Sequence, residues 1–180
     1  ITFAAKLGFE TKDYPNEMGL ALGQAEVTPL EMARFSAMMA NGGIEVTGSP
    51  VVLAKNKNGA VLIDEPALGA RVLTPQAAAL TRSLMGLVLS HGTGGASRRG
   101  AAGIQGYLGT GFGKTGTTDQ NKDLWLVGGT PHYGSALWLG YDQPTNLRAS
   151  SSDLAAPLWG WWMRSIHGDR DAQKTYPDQR

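Results

Sequence analysis

Gly113-Lys114-Thr115-Gly116-Thr117-Thr118-Asp119 is the stretch on which the interpretation of this chain rests. Residues 103–111 before it contain few helix formers. After it, residues 124–127 and 136–139 are typical of strands, and the Thr-Pro-His-Tyr sequence at 130–133 predicts the turn that joins them. We therefore expect Lys114 on the first strand of an antiparallel meander of three strands.

The alternation of side chains along a strand predicts that Thr115 and Thr117 share one face. Gly116 between them carries no side chain, so another backbone can come close to the strand at that point. This combination is typical of a groove in which a substrate lies beside a sheet edge. The two hydroxyls would hold a carboxylate of the substrate, and an exposed backbone N–H would face its carbonyl group.

Three other interpretations compete for the stretch, and the first two do not fit its residues. A phosphate-binding loop needs a glycine five residues before the Gly-Lys-Thr triplet, and Leu108 stands there instead. Residues 111–116 match the G-x-G-x-x-G of dinucleotide-binding sites, but that pattern should open a helix, and strands follow here. The third interpretation is a glycine-rich connector with a solvated lysine.

Lys-Thr-Gly is one of three short motifs of penicillin-binding proteins and class A β-lactamases. The longer match, Lys114–Thr118 followed by Asp123, Trp125 and Gly128-x-Thr130-Pro131, resembles the bifunctional (class A) penicillin-binding proteins. The resemblance extends to about Arg164 and implies the C-terminal part of the transpeptidase domain. The implied fold is α+β, the serine D,D-transpeptidase or β-lactamase-like fold, with helices that flank an antiparallel sheet.

The resemblance also implies roles for individual residues. Lys114 and Thr117 would be catalytic, because the lysine keeps the pocket positive and the Thr117 N–H forms half of the oxyanion hole. Asp123 and Trp125 would give structural support. The alternatives are a surface ion pair for Lys114 and plain β-propensity for the threonines. Substrate would be bound by Thr115, Gly116, Thr117 and Thr118, with the hydroxyls of Thr115 and Thr117 on the carboxylate of a stem peptide or a β-lactam.

The nucleophile of such an enzyme is missing from this sequence. The resembled family takes its nucleophile and base from S-x-x-K and S-x-N, and no serine in the chain has lysine three places on or asparagine two places on. The resemblance implies that the chain begins after both motifs and that the N-terminal half of the same domain is its partner. Glu65-Pro66-Ala67-Leu68 is similar to the E-x-x-L-N of class A β-lactamases, but Gly69 replaces the asparagine, and we interpret Glu65 as a loop carboxylate.

The implied function is a peptidoglycan D,D-transpeptidase that cross-links stem peptides through a serine acyl-enzyme and binds β-lactams. A β-lactamase-like serine hydrolase is the alternative enzyme. A non-catalytic module that only binds D-Ala-D-Ala peptides or penicillin is the alternative from another class. The resemblance places the protein at the extracytoplasmic face of the bacterial cell membrane, with an N-terminal anchor that is missing from this chain.

Composition limits the partners and cofactors that the sequence predicts. The 180 residues carry a net charge of +1, which gives no reason to expect a nucleic acid as partner. Cysteine is absent, which excludes disulfides and thiolate metal sites. The three histidines are scattered and show no spacing typical of metal ligands, so we expect no metal site. We expect no cofactor either. No signal peptide or transmembrane run is recognisable. Residues 1–166 should form the domain portion and residues 167–180 a polar tail that frays.

Local signals predict the helices and a hairpin. One helix should end at Gly8, Thr28–Glu31 is a capping box, Asn58-Gly59 is a hairpin turn, and Thr74-Pro75 opens another helix. The helix after the capping box should stop at residues 41–43. The stripes predicted to be buried are Leu30, Ala33, Ala37 and Met38; Leu80, Leu84, Leu87 and Val88; and Leu158, Trp159, Trp162 and Met163 on a helix from Asp153 to about Ile166.

Overall fold

The computed structural model describes residues 1–51, 53–64, 68–100, 110–168 and 174–179. The helices are α1 (Thr2–Lys6), α2 (Pro29–Ala40), α3 (Pro75–Ser90), α4 (Ser97–Gly100) and α5 (Ala156–His167). The strands are β1 (Ile44–Val46), β2 (Leu53–Lys55), β3 (Val61–Asp64), β4 (Leu68–Arg71), β5 (Phe112–Thr117), β6 (Leu124–Gly129) and β7 (Gly134–Leu139). The fold is α+β, as the resemblance implies. Glu65 lies outside the described residues, so its interpretation stays a prediction.

The central sheet has the order β5-β6-β7, and both pairs of strands are antiparallel. Lys114 lies opposite Val127, and Thr115 lies opposite Leu126. The turn between β6 and β7 is closed by the Thr130 N–H, which donates to the carbonyl of Tyr133 at 2.9 Å. The prediction of a meander that begins with the Lys-Thr-Gly strand is confirmed.

Two smaller pairs of strands lie between α2 and α3 in the chain. β2 and β3 form the predicted hairpin, with Gly59 in its turn at a φ of +83°, a conformation that favours glycine. β1 pairs with β4 in antiparallel orientation.

Helix α2 begins with the predicted capping box. The Thr28 hydroxyl accepts the Glu31 N–H at 3.2 Å, and the Glu31 carboxylate accepts the Thr28 N–H at 2.7 Å. The helix ends at Ala40 with Asn41 as its C-cap, and Gly42 and Gly43 follow with φ of +70° and +89°. Leu30 is 53% exposed, so its place in the buried stripe was predicted wrongly; the buried side chains of α2 are Ser36, Met38 and Met39.

The sheet separates two clusters of buried side chains. Phe112 of β5 packs with Met38 and Met39 of α2 on one face. Leu126 of β6 packs on the other face with Leu89 of α3 and with Ala156, Trp159 and Met163 of α5. Because strand residues alternate between faces, the even-numbered residues of β5 face the α2 side, and the odd-numbered residues face the α5 side.

Helix α3 begins at the predicted cap, where the Thr74 hydroxyl accepts the Ala77 N–H at 3.2 Å. Its buried face was predicted wrongly. Leu80, Leu84 and Leu87 are 64%, 60% and 56% exposed, and the buried residues are Ala78, Arg82 and Leu89. The buried guanidinium of Arg82 donates to the Met39 carbonyl and to the Asp178 carboxylate, both at 2.5 Å.

The segment near the C-terminus packs on the core. Residues 174–179 do not fray as predicted, because Tyr176 is 4% exposed and its hydroxyl donates to the Thr110 carbonyl at 2.6 Å. Burial raises the pKa of this hydroxyl far above its ordinary value of 10.0, although Arg82 lowers it, so the phenol remains a donor. Trp159 and Met163 are buried as predicted, whereas Leu158 is 37% exposed. The division of the chain at residue 166 stays a prediction.

Candidate active site at the free edge of the sheet

Strand β5 is an edge strand in the described part of the chain, because only β6 pairs with it. The Thr118 N–H donates to the Asp123 carbonyl at 3.1 Å, which continues the β5–β6 ladder by one pair. Hydrogen-bonded and non-hydrogen-bonded pairs alternate along an antiparallel ladder, so Gly116 and Lys114 are bonded to β6. Thr115 and Thr117 therefore direct their backbone N–H and C=O groups towards the free edge.

Lys114 and the two threonines leave the strand on opposite faces. The lysine side chain starts on the α2 side and is exposed. Its ammonium donates to the carbonyl oxygen of Thr115 at 2.7 Å. Because that carbonyl points to the free edge, the lysine places its charge beside the backbone groups of the edge.

Thr115 is 9% exposed and faces the α5 side. Its hydroxyl lies 2.5 Å from the hydroxyl of Thr93, which belongs to the loop after α3. A hydroxyl carries one proton, so one threonine donates to the other and both are fixed in orientation. Thr93 thus positions the first hydroxyl of the Lys-Thr-Gly strand.

Thr117 is exposed, and its hydroxyl lies 2.7 Å from the hydroxyl of Ser151. Ser151 is 1% exposed and begins the π-helical turn Ser151–Ala155 that leads into α5. Its hydroxyl donates to the Gly116 carbonyl and accepts the Trp125 N–H at 3.2 Å, and its N–H donates to the Thr117 hydroxyl at 3.2 Å. One serine therefore contacts the end of β5 at two residues and β6 at one.

Asp123 holds the turn after β5 in place. Its carboxylate accepts the Thr118 hydroxyl at 2.9 Å and the indole N–H of Trp138 at 3.0 Å. A Cβ at Gly116 would lie 3.3 Å from the Cβ of Trp125, so the indole side chain covers the glycine. These contacts agree with the supporting role implied for Asp123 and Trp125, and they also engage the hydroxyl of Thr118.

Thr93 and Ser151 were not predicted as site residues from the sequence. Thr93 lies 22 residues before its partner Thr115, and Ser151 lies 34 residues after its partner Thr117. A local signal marks only the neighbour of Ser151, because Ser150 and Asp153 form a capping box. Among the described residues there is no cluster of three side chains that could hold a metal ion, and no helix has the length and hydrophobicity to cross a bilayer.

Comparison with known protein families identifies the class of protein to which this fold and edge strand belong. The chain belongs to the penicillin binding protein transpeptidase domain family, which it matches over residues 8–160. The resemblance drawn from the Lys-Thr-Gly stretch is confirmed.

Individual relatives are similar over most of this chain. Penicillin-binding protein 1A of Neisseria gonorrhoeae is 31% identical over 170 residues, or 90% of this chain, and that of Clostridium botulinum (strain Langeland) is 31% identical over 172 residues, or 93%. The solved structure of the penicillin-binding protein PonA1 from Mycobacterium tuberculosis has a TM-score of 0.77 at 26% identity, and the match covers 97% of this chain and 50% of that one. The chain spans about a fifth (20%) of the length of the curated relatives that it matches.

Proposed function

We propose that this chain supplies the Lys-Thr-Gly side of the active site of a peptidoglycan D,D-transpeptidase. The observation that carries the proposal is the free edge of β5, where Thr115 and Thr117 direct backbone groups outwards and the Lys114 ammonium lies 2.7 Å from the Thr115 carbonyl. A stem peptide in extended conformation adds to such an edge as a further strand. The terminal carboxylate of the peptide is then held at the positive end of the groove, next to the hydroxyl of Thr117.

The groups at the edge of β5 are suited to an acyl transfer. A serine hydroxyl attacks the carbonyl carbon between the two D-alanines, a C–O bond forms, and the C–N bond breaks as D-alanine leaves with the proton. The Thr117 N–H stabilises the oxyanion of the intermediate. The Lys114 ammonium stabilises the negative charge that develops and biases the proton transfer. The amine of a second stem peptide then takes the acyl group, which forms the cross-link and frees the serine.

The nucleophile comes from outside this chain in our proposal, on the N-terminal half of the same domain. The exposed leucines Leu80, Leu84 and Leu87 of α3 support this partner. They form an apolar stripe at helical spacing, and exposed apolar stripes of this kind mark surfaces that another element covers. The complete enzyme acts at the extracytoplasmic face of the membrane, where its substrate is.

The two alternatives differ from this proposal in the fate of the acyl group. A β-lactamase-like hydrolase would release opened penicillin quickly, and a binding module would form no covalent bond. The Lys-Thr-Gly edge with Thr117 and Thr118 after it is the feature that favours the transpeptidase.

The test uses the full-length protein that carries this domain. We expect one stable fluorescent penicillin per molecule, and release of D-alanine from a stem pentapeptide together with a cross-linked product when an amine acceptor is present. Rapid turnover of penicillin without a stable label would favour the hydrolase. Reversible binding without a covalent adduct would favour the binding module.

A further inference from the structure

Ser151 has more contacts with the candidate site than any motif in the sequence suggests. It lies 34 residues after Thr117, is 1% exposed, and contacts Gly116, Thr117 and Trp125 by hydrogen bonds. None of these contacts is needed to start the helix, because the capping of that turn is done by Ser150 and Asp153. The contacts of the Ser151 hydroxyl are therefore with β5 and β6 and not with its own helix.

The protons of this cluster can be assigned by counting donors and acceptors. The carbonyl of Gly116 can only accept, so the single hydroxyl proton of Ser151 points to it. The Ser151 oxygen accepts the N–H of Trp125, and the 2.7 Å contact with Thr117 must then use the proton of Thr117. In this structure the Thr117 hydroxyl thus donates towards Ser151 and away from the free edge.

A carboxylate at the edge requires the opposite direction. The Thr117 hydroxyl must turn its proton to the carboxylate. Its contact with the Ser151 hydroxyl then has no proton unless Ser151 turns as well, although the Thr117 oxygen still accepts the Ser151 N–H at 3.2 Å. Ser151 can do so, because the Gly116 carbonyl keeps the Trp125 N–H as its ladder partner. The Ser151 proton moves from the Gly116 carbonyl to the Thr117 oxygen by a rotation about one bond, and no buried group loses all its partners.

We propose that Ser151 is a positioning residue for Thr117: it fixes the Thr117 side chain and lets the hydroxyl switch its donor direction when a substrate carboxylate binds. The inference rests on the proposed function, since it needs a carboxylate-bearing ligand at β5. Ser151 itself does not contact the substrate. It acts on catalysis only through Thr117 and through the pairing of Gly116 with Trp125.

The test measures the second-order rate of acylation of the full-length protein by benzylpenicillin and by its methyl ester, in which the carboxylate is masked. Ser151→Ala should slow acylation by the acid roughly three- to tenfold, the range of one neutral hydrogen bond, and leave the ester rate within a factor of two. Ser150→Ala is the matched control. It removes the neighbouring hydroxyl, which contacts Asp153 and not the strand, and should leave both rates unchanged.

A double-mutant cycle with Thr117→Val separates positioning from general damage. If Ser151 acts through Thr117, the double variant should react with the acid no more slowly than Thr117→Val alone. Additive losses, equal losses for acid and ester, or an unchanged rate for Ser151→Ala would each overturn the inference while the proposed function stands. A wild-type protein that benzylpenicillin does not acylate would overturn both.

Ser151→Cys covers the case in which Ser151→Ala unfolds the domain. The thiol has nearly the same shape as the hydroxyl but is a weak donor. We expect a smaller loss than for alanine, again confined to the acid, at a melting temperature close to that of the wild type. A cysteine variant that is equally slow with the acid and the ester would overturn the inference.

Discussion

The Lys114 ammonium lies 2.7 Å from the carbonyl oxygen of Thr115, so the side chain bends from its own face of the strand to the free edge. No carboxylate forms a salt bridge with this ammonium within the described residues, where the ion pair found joins Arg82 and Asp178. The charge of Lys114 is therefore directed at the place where a strand of substrate would add. This geometry favours a role at the edge over a surface ion pair.

Lys114→Met should slow acylation of the full-length protein by penicillin at least about a hundredfold, because a charge beside the developing oxyanion and the transferred proton is removed. Lys114→Arg keeps the charge on a larger, planar group and should recover only part of the rate. The measurement is the time course of fluorescent penicillin labelling. Lys57→Met, on the exposed hairpin turn, is the control for loss of one positive charge. Normal labelling of Lys114→Met would remove the lysine from the site.

Thr117→Val should slow acylation by benzylpenicillin roughly ten- to a hundredfold, since a hydrogen bond to a charged group contributes about 1.5–3 kcal/mol. Valine keeps the shape and the strand propensity of threonine. Thr145→Val, in an exposed loop where the hydroxyl contacts only the Gln143 carbonyl in the described structure, is the matched control. Equal rates for Thr117→Val and the wild type would show that this hydroxyl does not bind the carboxylate.

Local sequence was sufficient where a signal and its partner are close in the chain. The capping box of Thr28 and Glu31, the hairpin turn at Gly59 and the strand order of the meander were predicted correctly, because each depends on residues a few places apart. The Lys-Thr-Gly stretch predicted the protein family. Together these signals fixed the edge strand, although not the contacts behind it.

Long-range contacts explain the errors. Arg82 was left out of the core of α3 because a charge is rarely buried, and its partner Asp178 lies 96 residues away. Arg82 lies on the buried face of α3, and Leu80 and Leu84, which a local pattern places inside, lie on its exposed face. Ser151 was missed for the same reason: its hydroxyl has a role only because the π-helical turn before α5 lies against the end of β5.

Asp178→Ala should lower the free energy of unfolding by about 3 kcal/mol, because it leaves the Arg82 guanidinium buried without its carboxylate. Both side chains are almost fully buried, at 4% and 3% exposure, and lie 2.5 Å apart. Chemical denaturation of the purified domain measures the change. Arg82→Met combined with Asp178→Leu removes both charges and should cost less than Asp178→Ala alone. A double variant less stable than the single one would contradict this account of the pair.

Acid should weaken the start of α2 through Glu31. Burial alone would raise the pKa of this carboxyl, but hydrogen bonds from the Glu10 N–H and from the Thr28 hydroxyl and N–H, together with Arg34, hold it below its ordinary value of 4.5. A depressed pKa contributes stability that is complete above 4.5 and is lost as the pH falls through the pKa of the folded state. Glu31→Gln should therefore flatten the dependence of the melting temperature on pH between about pH 5 and about pH 3, the range in which carboxyl groups titrate. An unchanged pH profile would show that the capping box does not respond to this charge.

The 180-residue chain on its own should form no covalent adduct with fluorescent penicillin, because no serine in it belongs to an S-x-x-K or S-x-N pattern. It should also associate, since the outer edge of β5 has no strand beside it in the described structure and the leucines of α3 are exposed. Labelling gels and light scattering on the purified chain measure both properties. The positive control is the same chain expressed together with the N-terminal half of its domain, which should restore labelling. A monodisperse monomer that penicillin labels would contradict the assignment of the nucleophile to a segment outside this sequence, and with it every role proposed for Lys114 and Thr117.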